Sequence, residues 1–333
     1  MTIEPNIAHS QRLRVMMSEP AIERLGDEVR HLLRAVPHEL VAPRADAQPH
    51  IAFVSRDVTG LSTKHQVLPG TQRFYDALLE ARHLRWVHTH SAGTDRPVFA
   101  ELRRRGVDVT GSAGANAAVV AQTALAGILA LARRLPQLMA AQRRHEWAPL
   151  IGGSLPPDLA GQTAAVVGWG AIGQGIARHL AMLEMRVVAV RSSATPCEGA
   201  AETVAYEGID AVLPRTDWLV LACPLTERTQ HLVDRTRLGL LPDSAYLVNV
   251  ARGEVVEEDA LIEALRASRI AGAFLDVFAH EPLQAGSALW DLPQVIATPH
   301  SAGFSSGNAA RVDAIFLRQL ADRIAGPTQG VAA

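Results

Sequence analysis

Short apolar runs recur along the chain at intervals that leave room for a helix between them. "RLRVMMS" (12–18), "HIAFVS" (50–55), "LRWVHTH" (84–90) and "VDVTGS" (107–112) read as strands, being brief, rich in branched or aromatic residues and bounded by polar or turn-forming positions. Segments 20–34, 71–82 and 97–105 have a helical pattern. Strands alternating with helices predict a parallel sheet with crossover helices. An alanine-rich helical pattern covers about 116–134, and a second series of strand-like runs starts near Thr163: "AAVVG", "RVVAV", "DWLVLA", "AYLVNV", "GAFLDV" and "VIATP". The last segment, 307–325, places Val312, Ile315, Phe316, Leu320 and Ile324 on one helical face, with Gly326-Pro327 expected to stop it.

Composition narrows the class. A chain of 333 residues, 48% apolar and 20% charged, is long enough for two domains with separate cores. Lys+Arg 32 against Asp+Glu 34 gives −2 with no basic block, so a nucleic-acid partner has no electrostatic support. Two cysteines, Cys197 and Cys223, are too few for a disulfide framework and suit a reducing cytoplasm. The opening "MTIEPNIAHS" lacks a charged-then-apolar signal pattern. Ala117 to Ala132 is the most membrane-like stretch, but Gln122 and Thr123 interrupt it, and it reads as a buried helix rather than a span. No CxxC or HExxH occurs, so no metal site is expected.

The strongest local signal is "TAAVVGWGAIGQGIARHLAML" (163–183), a strand-like run meeting Gly168, Gly170 and Gly173 and then a helical pattern. The first glycine permits a tight turn, the second lets backbone approach a pyrophosphate, and the third lets helix and strand pack closely. With Ala171 and Ile172, these residues open a helix whose free N–H groups face the phosphates. A NAD site of this kind usually carries a carboxylate at the end of the next strand, to hold the ribose hydroxyls. Here that place holds Arg191, 18 residues past Gly173, followed by Ser192 and Ser193. A cation with hydroxyl neighbours suits a 2′-phosphate, so NADP is favoured over NAD.

Three more loops acquire meaning from this one. Arg252 follows the run "YLVNVA", Glu281 follows "AGAFLDVFAH", and His300 follows "VIATP". In a doubly wound sheet such loops gather along one edge, beside the nicotinamide. Reduction of a 2-oxo acid needs a hydride, a proton for the carbonyl oxygen and a cation for the carboxylate. Arginine suits the last task because its fork binds planar oxygen pairs. Histidine holds a transferable proton near neutral pH, and a neighbouring glutamate would orient it and stabilise its imidazolium form.

Taken together, "GWGAIG", "CPLTERT" (223–229), "NVARGEVVEEDAL" (249–261), "LDVFAHEP" (275–282) and "LWDLPQVIATPHSAG" (289–303) resemble the motifs of the D-isomer-specific 2-hydroxyacid dehydrogenases, closest in pattern to glyoxylate/hydroxypyruvate reductases. The resemblance starts near "SAGTD" (91–95); the first 80 residues match in pattern only. It implies an α/β architecture in which a Rossmann-type doubly wound parallel sheet domain (112–302) is inserted into a smaller flavodoxin-like domain (1–111 and 303–333). It also implies Arg252, Glu281 and His300 as the catalytic set. Cys223, Pro224, Thr229, Val250, Ala251, Arg252, Asp276, His300 and Gly303 would line the cofactor, and Ala92, Gly93 and Thr94 the substrate carboxylate. A homodimer is implied, with the arm at 131–153 packed against the second subunit; Trp147 is either buried across that dimer or buried within its own subunit. Departures are few: Gln122 stands where many relatives carry glutamate, and Trp169 occupies a variable place in the glycine loop. Glu281 argues against the formate-type members, which carry glutamine in the dyad. His88 and His90 read as structural and His280 as exposed, while Arg56 and Arg96 stay open between cleft and solvent. The expected activity is reduction of a small 2-oxo acid such as glyoxylate or hydroxypyruvate; the alternative is a dinucleotide-sensing, corepressor-like scaffold.

Overall fold

Strands buried at every residue need cover on both faces, and the chain supplies it with helices. The computed structural model describes residues 12–44, 46–151 and 155–325. The expected helix stop at Gly326-Pro327 and the end of the arm at 152–153 lie outside the described residues. The chain divides into two compact units, the described parts of Met1–Asn116 with Ser305–Ala333, and Ala117–Phe304.

The first unit runs β1 (Leu13–Met16), α1 (Glu19–Leu32), β2 (His38–Val41), β3 (Ile51–Val54), α2 (Arg56–Thr59), α3 (Pro69–Glu80), β4 (Trp86–Thr89), α4 (Pro97–Arg104) and β5 (Asp108–Gly111). Its sheet order is β2-β1-β3-β4-β5, all parallel, which is the flavodoxin-like order. Proline opens α3 and α4, where its missing N–H costs nothing. His88 on β4 is fully buried between Thr110 and Ser112, bonded to their hydroxyls at 2.9 Å each. Burial pushes its imidazole down to about 4, so it is a neutral core residue.

The second unit begins with α5 (Ala117–Ala132) and α6 (Leu135–Arg143). It continues through β6 (Thr163–Val167), α7 (Ala171–Met182), β7 (Arg186–Arg191), β8 (Glu202–Ala205), β9 (Trp218–Leu221), α8 (Arg235–Leu238), β10 (Tyr246–Asn249), α9 (Glu258–Arg266), β11 (Gly272–Leu275) and β12 (Val295–Ala297). The sheet order is β12-β11-β10-β9-β6-β7-β8, again all parallel. Strand order reverses at β6, and the loop beyond its carboxyl end is where a doubly wound sheet binds its ligand. The chain then returns to the first unit as α10 (Asn308–Ala325), whose Val312, Phe316 and Leu320 are buried while Ile315 and Ile324 are half-buried.

The alanines of α5 let it lie close to its neighbours. A Cβ on its Gly127 would meet the Phe274 ring at 2.4 Å, and one on Gly175 of α7 would meet Ala121 at 3.0 Å. This helix is therefore part of the core, as its small residues suggest. Among the described residues no single helix is long and apolar enough to cross a membrane.

Candidate active site

The glycine loop turns directly off β6. Gly168 has φ +100°, and a Cβ there would lie 2.6 Å from the Cys223 nitrogen. A Cβ on Gly173 would lie 1.9 Å from the Gly168 carbonyl oxygen, so only glycine lets α7 start this close to the strand. At Gly170, by contrast, a Cβ would meet nothing within 4 Å. That open face borders the start of α7, where Gly170 is the N-cap and no side chain caps the helix. The first N–H groups of α7, at Ala171 and Ile172, are thus presented toward the space that a pyrophosphate fits.

The neighbouring loop is held from within. Thr229 is fully buried, its hydroxyl donating to the Pro224 carbonyl at 2.6 Å and accepting from the Thr226 N–H at 2.8 Å. Cys223 is buried, and burial pushes its thiol up to about 12, so this sulfur stays a neutral packing group. These side chains shape the loop, leaving its backbone to face a ligand. Val250 and Ala251 are likewise buried behind the edge of β10. Arg191 closes β7 half-buried, with Ser192 exposed beside it.

The chemical groups come from the loops after β10, β11 and β12. Asn249 shapes the first: its amide donates to the Arg252 carbonyl and its side-chain oxygen accepts from the Ala251 N–H, both at 3.0 Å. That turn projects Arg252, half-buried, whose guanidinium donates to the Ala251 carbonyl at 2.7 Å. The His300 ring nitrogen Nδ1 lies 2.8 Å from Glu281 Oε2. The Phe278 N–H donates to the other carboxylate oxygen at 3.2 Å. The glutamate side chain is 13% exposed and the histidine 50%, so the carboxylate is sheltered and the imidazole is accessible. With Nδ1–H directed at Glu281, Nε2 is the nitrogen left to exchange a proton.

Burial alone would raise the Glu281 carboxyl. The His300 hydrogen bond and charge, the Phe278 N–H and the Arg252 charge outweigh it and hold the group below its ordinary value. Glu281 is therefore an anion facing the ring. The expected consequence is a test: Glu281→Gln removes the charge that stabilises the imidazolium but keeps a hydrogen-bonding group. With the protonated ring as the proposed donor in reduction, removing the charge beside it should move the activity limb to lower pH, as a pH profile of kcat/KM would show. A profile that does not move would mean that the carboxylate does not control the ring's charge.

Asp276, expected to line the cofactor, also organises the loop after β12. Its buried carboxylate accepts from the Thr298 hydroxyl at 2.6 Å and from the Ser301 and Ala302 N–H groups at 2.8 and 2.9 Å, while the His300 N–H donates to its carbonyl at 2.8 Å. His300 itself sits at φ +50°, a left-handed conformation that costs free energy in a residue with a Cβ. The clamp around Asp276 holds that conformation and with it the direction of the ring. Glu258, half-buried, does a similar service by accepting from the Ala279 N–H at 2.8 Å, two residues before Glu281.

Further predicted residues lie in the first unit. In the loop of Ala92, Gly93 and Thr94, the Ser91 hydroxyl donates to the Gly93 carbonyl at 2.7 Å, and Arg103 donates to both the Thr94 carbonyl and its hydroxyl. Arg96 braces the neighbouring loop, donating to the Ser62 carbonyl at 2.6 Å and the Tyr75 hydroxyl at 3.2 Å. His90 pairs with the Thr59 hydroxyl at 2.8 Å, and burial together with the charges of Arg56 and Arg96 pushes its imidazole down to about 3. Trp169 packs partly buried onto the α5–α7 layer, Gln122 and His280 are exposed, and Gly303 is half-buried. Among the described residues no cluster of three or more His, Cys, Asp or Glu could hold a metal ion.

The family model for the D-isomer specific 2-hydroxyacid dehydrogenase, NAD binding domain, matches residues 125–302. This chain belongs to the D-isomer-specific 2-hydroxyacid dehydrogenases. It is 38% identical over 240 residues to a glyoxylate reductase of Pyrococcus furiosus, covering 69% of this chain and 70% of that one. It is 34% identical over 267 residues to a glyoxylate/hydroxypyruvate reductase B of Pectobacterium carotovorum, covering 75% and 79%. Among solved structures, a D-isomer specific 2-hydroxyacid dehydrogenase of Xanthobacter autotrophicus, determined in complex with NADPH and MES, superposes with a TM-score of 0.71 at 28% identity, covering 96% and 97%. The dehydrogenase described here is accordingly an oxidoreductase that uses a nicotinamide cofactor, and the glycine loop with its open face at Gly170 fits that group.

Proposed function

We propose that this dehydrogenase reduces small 2-oxo acids, glyoxylate and hydroxypyruvate among them, and prefers NADPH to NADH. The observation that carries the chemistry is the His300–Glu281 pair at 2.8 Å with Arg252 close enough to influence the carboxylate. Bound at the glycine loop, the reduced nicotinamide supplies the hydride. Arg252 binds the carboxylate of the oxo acid and orients its carbonyl. Nε2 of His300 gives its proton to the carbonyl oxygen, which becomes the hydroxyl of the 2-hydroxy acid, and the ring keeps its Nδ1–H on Glu281. In the reverse direction the neutral ring takes that proton back. We assign carboxylate recognition by Ala92, Gly93 and Thr94 to the first unit and the cofactor to the second. The free thiols of Cys197 and Cys223 suit a reducing cytoplasm. The reductase relatives favour this reading over the scaffold.

Arg191 supports the cofactor choice. It stands where a carboxylate would bind two ribose hydroxyls and repel a 2′-phosphate, and it reverses that sign. A charge-assisted contact of about 1.5–3 kcal/mol corresponds to a preference of roughly ten- to a hundredfold. Initial rates with a panel of 2-oxo acids and both cofactors test the proposal. Wild type should favour NADPH by that ratio in kcat/KM, and Arg191→Asp should lose NADPH use while sparing or improving NADH use. Equal or better rates with NADH would remove the preference, and no turnover with any 2-oxo acid would remove the substrate class.

We also propose a homodimer. On α6 and the stretch after it, Trp147 is 96% exposed, Ile151 77% and Met139 51%, large apolar side chains that a second subunit would cover. Sedimentation at micromolar concentration should give twice the chain mass; the chain mass alone would refute the dimer.

A further inference from the structure

One cation was expected beyond β7, and the structure places a second beside it. Arg228 belongs to the loop after β9, yet the sheet order puts β6 between β9 and β7. Its guanidinium nevertheless reaches past β6 to the residues that follow β7 and β8. Nη2 donates to the Ser192 carbonyl at 3.3 Å and to the Glu207 carboxylate at 2.6 Å, and the guanidinium carbon lies 5.2 Å from the centre of the Tyr206 ring. Arg191 sits opposite Ala205 in the β7–β8 register, one residue from the same tyrosine. Burial pushes the Tyr206 hydroxyl up, and the charges of Arg228 and Arg191 both pull against that shift, so both cations are near one ring.

The ion pair with Glu207 does not explain this placement by stability. The side chains are 49% and 69% exposed, and exposed ion pairs contribute little to folding. What the pair does is hold a long, rotamer-rich side chain at the ribose end of the crevice. We infer that Arg191 and Arg228 form a two-armed clamp for the 2′-phosphate of NADPH, with Glu207 holding Arg228 in place until the phosphate takes over. The inference rests on the NADPH reading above and names residues that reading does not use. A phosphomonoester near neutral pH carries more charge than one carboxylate and offers three acceptor oxygens, and a guanidinium fork matches that geometry. Two cations and one carboxylate leave the pocket net positive before the phosphate arrives. The carboxylate also weakens the clamp, because its own charge repels the incoming group.

The test uses two probes that differ only in the phosphate, 2′,5′-ADP and 5′-AMP, titrated calorimetrically into the whole protein without substrate. Arg228→Ala should weaken 2′,5′-ADP about tenfold or more and leave 5′-AMP within about twofold, with Arg228→Lys in between because it keeps the charge but not the fork. Glu207→Gln should strengthen 2′,5′-ADP by about two- to fivefold and leave 5′-AMP unchanged. If wild type binds the two probes alike, the NADPH reading fails and the clamp with it. If wild type discriminates and Arg228→Ala discriminates equally well, the clamp is overturned while the reading stands on Arg191. Equal loss of both probes in Arg228→Ala would make Arg228 a brace of its loop and overturn the clamp. A Glu207→Gln protein that binds 2′,5′-ADP more weakly than wild type would show that holding Arg228 outweighs repulsion and would overturn the weakening assigned to the Glu207 charge.

Discussion

His300→Ala is expected to lose roughly 10²–10⁴ in kcat, the range typical of a positioned acid–base group, while cofactor binding stays near its wild-type value. The physical reason is the division of labour around the ring. The backbone of the 298–302 loop is held by Asp276 through the Ser301 and Ala302 N–H groups, none of which uses the imidazole. Truncating the side chain therefore leaves the loop anchored and removes only the proton donor. It also leaves Glu281 with the Phe278 N–H and the Arg252 charge, so the carboxylate keeps an environment suited to an anion. Stopped-flow binding of the cofactor and steady-state kinetics on the same preparation separate the two effects. Near-normal turnover with the best 2-oxo acid would show that His300 is not the proton donor.

Gly253→Ala is expected to act as strongly by a different route. A Cβ at this position would lie 1.8 Å from the carbonyl carbon of Phe278 and 2.1 Å from its oxygen. Those are backbone atoms and cannot swing aside, so the loops after β10 and β11 must separate. Phe278 also supplies the N–H that holds Glu281, and Gly253 follows Arg252 directly. One methyl group therefore displaces Arg252 and Glu281 together, and with Glu281 the partner of the His300 ring. A destabilisation on the order of 3–5 kcal/mol is expected, corresponding to a melting temperature lower by on the order of 10 °C, with activity lost in the protein that remains folded. Gly170→Ala provides the contrast, because its Cβ would meet no protein atom within 4 Å. It should melt like wild type and bind the cofactor more weakly. A Gly253→Ala protein with wild-type melting and kinetics would show that the two loops are not coupled through this contact.

Features with strong local causes were readable from the chain. Runs buried on both faces produced continuous apolar strands, and the glycine loop announced itself because three backbone constraints fall within six residues. The helical pattern over 97–105 matched α4, whereas α3 starts at Pro69, two residues ahead of the expected 71, because proline tolerates the first turn. Strands β2 and β8 did not stand out. Both lie at sheet edges, where one side has no strand partner, and "HELV" and "ETVA" are mostly half-buried. β5 and β12 are edge strands too, but the apolar runs in "VDVTGS" and "VIATP" mark them, whereas "HELV" and "ETVA" are too polar and short to show one.

Residue type at three strand ends, together with the resemblance to the family, nominated Arg252, Glu281 and His300. Their meeting, with His300 and Glu281 2.8 Å apart, is a property of the folded sheet. The same holds for the carboxylate of Asp276 clamping a left-handed histidine, for Gly253 lying against Phe278, and for Arg228 reaching past β6 to Ser192. Each of these joins residues distant in the chain through atoms that only the packed sheet brings within a few ångströms. Sequence by itself determined the fold class, the cofactor loop and the kinds of chemical group available. Tertiary structure decided which groups touch and which are held rigid, because hydrogen bonds and steric contacts act over ångströms and carry no signature along the chain.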